Sequence, residues 1–174
     1  LSFYRLKIKC CADFVIIKLV LKLALILSDI RSCHNVGSIL RTADGFGIEH
    51  IYFAGITPYP KLVNDKRLPH LALKQTAAIH KTALGAENNV KFSVYGSTKL
   101  AINKARKHGY QIVAIEQSDG SVSLHKFCPR SAVALLLGNE INGLSSAVLK
   151  QSDIILEIPM LGKKESLNVS VAAA

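Results

Sequence analysis

The chain has 174 residues, of which 49% are hydrophobic and 20% charged, a composition that excludes a disordered segment and suits one domain with a sizeable core. Its net charge of +10 favours a polyanionic partner, although a merely soluble basic surface would carry the same charge. Aromatic residues make up only 6% and tryptophan is absent, which argues against a stacking platform for single-stranded nucleic acid.

The N-terminal part of the chain shows no pattern that assigns a structure to residues 1–19. An apolar run that ends at Leu27 is interrupted by Lys18 and Lys22 and is short for a bilayer span, so we expect no membrane segment. Leucines recur at every second position from Leu19 to Leu27, which predicts a strand. One domain is predicted over residues 20–174.

Helices and strands alternate after this strand. Asn35 is placed to cap a helix that runs to about Phe46, and Gly45-Phe46-Gly47 ends it. The elements that follow are the strand His50–Ala54, a helix over Leu71–Ala86, the strand Lys91–Tyr95, a helix over Lys99–His108, the strands Tyr110–Glu116 and Ala132–Leu137, a short helix over Ser145–Gln151 and the strand Ile154–Ile158. This alternation predicts an α/β fold with a mostly parallel sheet and helices on both faces.

The cysteines favour reduced thiols in a cytoplasm. The four of them, Cys10, Cys11, Cys33 and Cys128, lack the spacing of metal ligands and of a disulfide framework. The six histidines are scattered without a His-x-x-x-His pattern. We therefore predict no metal.

Three polar clusters each follow an apolar strand. Ligands of open α/β sheets bind at the carboxyl ends of the strands, so these clusters are candidates for a common site. The first cluster is Asn35-x-Gly37-x-x-x-Arg41, the second is Gly138-Asn139-Glu140 with Gly143-Leu144-Ser145, and the third is Ile158-Pro159-Met160-Leu161-Gly162 with Ser166-Leu167-Asn168-Val169-Ser170.

In this order the three clusters resemble the signature motifs of the SpoU/TrmH family of RNA ribose 2′-O-methyltransferases, in the SPOUT class. The resemblance covers the chain from about Leu23 to its last residue. It implies a C-terminal trefoil knot, S-adenosylmethionine as cofactor, tRNA or rRNA as substrate, and a homodimer when the protein is full length. Because Ala174 falls inside the family's C-terminal helix, we expect the domain to be truncated there.

The resemblance also implies roles for particular residues. Gly138, Ile158 and Leu167 match the positions that hold the cofactor, largely through backbone groups and apolar contact with adenine. Five residues match active-site positions: Arg41, Asn35, Glu140, Ser166 and Asn168.

Each active-site assignment has a plainer alternative. Arg41 is the residue we expect to hold an RNA phosphate and to stabilise a developing alkoxide, but a helix arginine can also simply be solvated. Asn35, Ser166 and Asn168 could be ordinary helix caps. Glu140 follows a buried strand, so we expect it to pair with Arg41 or a bound ligand unless it is an ordinary loop acid.

Two functions remain open from the sequence. The first is transfer of a methyl group from S-adenosylmethionine to a ribose 2′-hydroxyl of tRNA or rRNA. The alternative is a non-catalytic RNA-binding relative or an inactive truncated fragment.

Overall fold

The computed structural model of the chain describes residues 22–129 and 132–174, so the expectations for residues 1–19, and for the strand before Lys22, lie outside the described residues. Within this part of the chain the strands are β1 (Lys22–Ser28), β2 (His50–Ala54), β3 (Phe92–Tyr95), β4 (Gln111–Ile115), β5 (Val122–Ser123), β6 (Ala132–Leu137) and β7 (Ile154–Glu157). The helices are α1 (Cys33–Phe46), α2 (Pro69–Ala83), α3 (Thr98–Lys107), α4 (Ser146–Leu149) and α5 (Val169–Ala172).

The seven strands form one sheet in the order β3-β2-β1-β6-β4-β7-β5. Every pairing between these strands is parallel. The predicted α/β fold with a mostly parallel sheet is therefore confirmed, whereas the trefoil knot stays an implication of the resemblance. Among the helices of the described residues, none has both the length and the apolar character needed to cross a membrane.

Alternate residues of β1 explain why helices cover both faces of the sheet. Leu25 and Leu27 pack with α1, α2 and α5 on one face. Ala24 and Ile26 point to the other face and pack with α3 and α4. A central parallel strand buried on both sides reads as a continuous apolar run, as Leu23–Leu27 does.

The start of α1 differs from the sequence prediction. Ser32, not Asn35, is the N-cap, with an extended backbone (φ −86°, ψ 117°) and a side chain that accepts a hydrogen bond from the N–H of Asn35 at 3.2 Å. Serine and asparagine are both good N-caps, so the local sequence does not separate them. Gly47 ends the helix as predicted, with a left-handed backbone at φ 66°.

The bounds of α2 also differ. The helix begins with Pro69, because proline fits the first helical position, where its missing N–H costs nothing. It ends at Ala83, because Leu84 takes a left-handed conformation at φ 52° and the N–H of Leu84 caps the carbonyl of His80. The predicted helix end at Ala86 is instead the first residue of a separate 3₁₀ turn over Ala86–Asn88, and the short strand β5 was not predicted.

Parallel strands bring the three polar clusters to one edge of the sheet. The first, second and third clusters follow β1, β6 and β7, which lie within the stretch β1-β6-β4-β7 of the sheet. The loops after β1, β6 and β4 also carry the acids Asp29, Glu140 and Glu116. This edge therefore positions every loop that the sequence singled out.

The contact between α1 and α2 depends on Gly37. A Cβ at this buried position would lie 2.3 Å from the carbonyl oxygen of Ile79 and 2.2 Å from Oγ1 of Thr82. The backbone of α2 therefore approaches Gly37 closely.

We predict that Gly37→Ala lowers the free energy of unfolding by about 1–3 kcal/mol, because α1 and α2 must separate to admit the methyl group. The control is Gly45→Ala in the same helix, where a Cβ would meet nothing within 4 Å. Alanine there should stabilise the protein by up to about 1 kcal/mol through helix propensity. Urea denaturation measures both; equal effects of the two variants would contradict the packing argument.

Candidate active site

The carboxylate of Glu140 holds the N-terminus of α1 against the loop that follows β6. Its Oε2 accepts a hydrogen bond from the N–H of Arg31 at 3.0 Å, and its Oε1 accepts from the N–H of Ser32 at 3.1 Å. The side-chain amide of Asn35 donates to Oε1 at 2.9 Å. A negative charge at a helix N-terminus is also favoured by the helix dipole.

These hydrogen bonds outweigh the cost of burying the charge. Burial alone would raise the pKa of Glu140, but the N–H of Arg31, the amide of Asn35 and the N–H of Ser32 lower it, and the net pKa lies below its ordinary value. Glu140 is thus an ionised carboxylate with backbone partners. Of the two expected partners, Arg41 or a bound ligand, Arg41 is not the one: the donors are the N–H groups of Arg31 and the N-cap Ser32, and the amide of Asn35.

Asn35 and Asn168 join the first cluster to the third. The amide of Asn168 donates to Oδ1 of Asn35 at 3.3 Å. The Oδ1 of Asn168 accepts a hydrogen bond from the N–H of Ser170 at 2.9 Å, which makes Asn168 the N-cap of α5. Glu140, Asn35 and Asn168 therefore form a continuous hydrogen-bonded series, which we call the polar row.

A cavity of about 170 Å³ lies beside the polar row. All three residues expected to hold the cofactor line it, together with two of those expected at the active site: Gly138, Ile158, Leu167, Glu140 and Ser166. The structure thus brings together residues from the second and third clusters that are separated by up to 29 positions in the sequence.

The second cluster folds as a tight turn over Gly138–Leu144. Asn139 and Gly143 exchange backbone hydrogen bonds of 3.3 and 3.0 Å, and the amide of Asn139 donates to the carbonyl of Asp29 at 2.8 Å. A Cβ at Gly138 would lie 2.7 Å from the carbonyl carbon of Gly143, so only glycine fits where the turn begins. The role of Asn139 was missed, although asparagine is a typical turn residue.

Arg41 is placed differently from the other expected site residues. It is exposed on α1, six residues after Asn35, and it is not among the residues that line the cavity. Ser166 is also exposed but lines the cavity. Glu116 and Met160 line it too, and neither was predicted. For Glu116 the signal was available, because it follows a buried strand as Glu140 does.

The described residues, 22–129 and 132–174, contain no group of three or more His, Cys, Asp or Glu side chains arranged to hold a metal ion. The expectation of a metal-free site stays a prediction.

The chain is similar to RNA methyltransferases. A family model described as the SpoU rRNA Methylase family matches residues 22–174. The 23S rRNA (guanosine-2′-O-)-methyltransferase RlmB of Neisseria meningitidis serogroup B is 32% identical over 151 residues, which cover 87% of this chain and 54% of that protein. The tRNA (guanosine(18)-2′-O)-methyltransferase of Borreliella burgdorferi is 28% identical over 152 residues, 87% of this chain and 62% of that protein.

A solved structure agrees with these sequence matches. The AdoMet-bound rRNA methyltransferase from Sinorhizobium meliloti superposes with a TM-score of 0.70 at 27% identity, over 87% of this chain and 52% of that one. The chain thus spans 54 to 62% of the length of the two curated relatives named above.

The lowered pKa of Glu140 predicts a pH-dependent contribution to stability. A carboxylate whose pKa is lowered by folding stabilises the folded state above its ordinary pKa, and this contribution is lost as pH falls through the lowered value. The difference in unfolding free energy between the wild type and Glu140→Gln should therefore be constant near neutral pH and shrink below about pH 4.5.

Urea denaturation between about pH 3 and pH 8 measures this difference. The control is Glu157→Gln, which removes a carboxylate that accepts from the hydroxyl of Ser121, outside the polar row. A difference for Glu140→Gln that stays flat over the whole range would show that its hydrogen bonds do not favour the ionised form.

Proposed function

The chain belongs to the SpoU rRNA methylase family, and on this premise we propose that it transfers a methyl group from S-adenosylmethionine to a ribose 2′-hydroxyl of tRNA or rRNA. The observation that carries the proposal is the position of the polar row directly beside the cavity lined by Gly138, Ile158 and Leu167. The two curated relatives, named as 2′-O-methyltransferases of rRNA and tRNA, support it.

The cavity suits the proposed cofactor. Ile158, Met160 and Leu167 offer apolar surface for an adenine ring, and Gly138 leaves its backbone accessible because it has no side chain. Glu116 and Glu140 add negative charge to the lining, which suits a sulfonium cation. S-adenosylmethionine, when bound, supplies an electrophilic methyl group.

Arg41 is assigned to the substrate RNA. A ribose 2′-hydroxyl is a weak acid and a poor nucleophile, so it must be placed accurately and helped to lose its proton. The exposed guanidinium of Arg41 can hold an RNA phosphate in a bidentate pair and stabilise the developing alkoxide. Its exposed position on α1, outside the cavity lining, fits a group that meets a large substrate at the surface.

The polar row and Ser166 are assigned to positioning and to contact with the ribose. Asn35 donates to Glu140, which lines the cavity, and Asn168 donates to Asn35, so each presents an amide that can donate and accept next to the cavity lining. Glu140 fixes Asn35 through a charge-assisted hydrogen bond. Ser166 lines the cavity with an exposed hydroxyl that can contact the substrate.

We also propose that the active form is a homodimer. Leu167 and Val171 leave 39% and 56% of their surface exposed beside the cavity and on α5, although both are large apolar residues. A second copy of the protein would bury them. Light scattering should give twice the monomer mass of the protein used, and a monomer that transfers methyl groups would contradict the proposal.

A cytoplasmic location is part of the same proposal. Cys33 and Cys128 are free thiols among the described residues, as expected in a reducing compartment. Cell fractionation should find the protein with cytoplasmic RNA-modifying enzymes, and recovery in a secreted fraction would contradict it.

Cofactor binding gives the first test. Isothermal calorimetry should show saturable binding of S-adenosylmethionine, and Gly138→Ala should abolish most of it, because the new methyl group would displace the carbonyl of Gly143 in the cavity wall. The control is Gly45→Ala, which adds the same methyl group in open space and should leave binding unchanged. Absence of binding to the wild type would contradict the proposed methyltransferase.

Replacement of Arg41 gives the second test. Arg41→Lys keeps the charge but loses the forked geometry, so we expect methyl transfer to fall on the order of a hundredfold or more. Cofactor affinity should hardly change, because the residues that line the cavity are not altered. The control is Arg106→Lys, a surface arginine of α3 that pairs with Asp153.

Methyl incorporation into total RNA and thermal unfolding, measured side by side, separate the outcomes. Near-normal turnover in both Arg41→Lys and Arg41→Ala would remove Arg41 from the mechanism, and unfolding of the variants would make its role structural. A wild-type protein that binds RNA but transfers no methyl group would favour the alternative, a non-catalytic relative or an inactive fragment.

A further inference from the structure

Glu116 ties the loop after β4 to the turn Gly138–Leu144. Its Oε2 accepts a hydrogen bond from the N–H of Leu144 at 2.7 Å, and its Oε1 accepts from the N–H of Gln117 at 3.1 Å. Leu144 is buried and closes the turn. One side chain therefore connects two loops at the carboxyl edge of the sheet.

Gly143 is shaped to this contact. Its backbone is left-handed at φ 61°, and a Cβ there would lie 2.3 Å from Oε2 of Glu116. The carboxylate thus occupies the space that a side chain at position 143 would need. In the same turn, Gly143 exchanges backbone hydrogen bonds with Asn139, so Glu140 lies between two fixed ends.

The same arrangement recurs at the two neighbouring strands. Glu140, after β6, accepts from backbone N–H groups at the start of α1, after β1. Asp29, after β1, accepts from the N–H of Ile56 after β2 at 3.1 Å, and a Cβ at Gly55 would lie 2.0 Å from its Oδ1. Each of the three acids reaches the loop of the next strand in the order β4, β6, β1, β2.

Because each acid reaches the loop after the neighbouring strand, Glu116 can affect residues beyond its own loop. Resting on the proposed methyl transfer, we propose that Glu116 is a positioning residue that acts through the turn Gly138–Leu144 on Glu140, and through Glu140 on Asn35. Without its acceptor, the N–H of Leu144 is released and the turn can shift. A misplacement of about 1 Å at a reacting site can reduce the rate on the order of a hundredfold.

Glu116→Gln tests the proposal with little change of shape. Both oxygens of Glu116 accept from backbone N–H groups, so glutamine loses one of these two hydrogen bonds and also the charge that strengthens the other. We expect kcat to fall roughly 10- to 100-fold, with the KM for RNA little changed. Hydrogen exchange should accelerate at Leu144, Arg31 and Ser32, while the amides of α3 keep wild-type protection. The control is Glu157→Gln, which should change neither rate nor exchange.

A double variant separates positioning from a merely structural role. If Glu116 acts through Glu140, Glu116→Gln combined with Glu140→Gln should be no slower than Glu140→Gln alone. The proposal would be overturned if the reductions in kcat of the two single variants multiplied in the double variant, or if Glu116→Gln kept the wild-type kcat. If Glu116→Gln does not fold, Glu116→Asp replaces it, because aspartate keeps both acceptor oxygens on a shorter side chain. The kcat of Glu116→Asp alone and in combination with Glu140→Gln is then judged in the same way.

The exchange measurement also distinguishes this inference from the proposed function. If the wild type transfers no methyl group but Glu116→Gln accelerates exchange at Arg31 and Ser32, the coupling of Glu116 to Glu140 is supported and the proposed methyl transfer is contradicted. Unchanged exchange at these two residues, in a protein of any activity, overturns the coupling.

Discussion

The site depends on the hydrogen bonds between the carboxylate of Glu140 and the first turn of α1. Three donors converge on this carboxylate: the N–H of Arg31, just before the helix, the N–H of the N-cap Ser32, and the side-chain amide of Asn35. One side chain thus satisfies the end of a helix and fixes Asn35, which in turn orients Asn168. Because Glu140 and α1 follow adjacent parallel strands, the sheet itself sets their separation.

Much of the fold was accessible from the sequence, because hydrophobic patterning determines which elements form and on which face they pack. Leucines at every second position from Leu19 to Leu27 predicted a strand, and Lys22–Ser28 forms β1, an interior strand between β2 and β6. Element ends were less accessible. Ser32 and Asn35 are equally good N-caps by residue type, so the local sequence does not determine where α1 begins. Leu84 adopts a left-handed backbone that leucine rarely takes, so the sequence does not predict where α2 ends.

The candidate site divides in a similar way. The three clusters were expected to meet, and seven of the eight residues singled out line the cavity or form the polar row. Arg41, one of the two partners expected for Glu140, does not pair with it, because side-chain charges are visible in a sequence whereas the direction of backbone N–H groups is not. Glu116 follows a buried strand as Glu140 does and could have been singled out, but its partners, the backbone N–H groups of Leu144 and Gln117, could not.

The eighth residue, Arg41, lies apart from the other seven, which separates the binding of a small ligand from the attraction of a polyanion. The carboxyl edge of the sheet is closely fitted, because backbone or side-chain atoms already occupy the space that a Cβ would need at Gly138, Gly143 and Gly55. Such a region suits a small ligand that must be held accurately. Arg41 stands outside it on an exposed helix, and the chain carries a net charge of +10. A polyanion can therefore be attracted and oriented at the surface without disturbing the hydrogen bonds that hold the interior of the site.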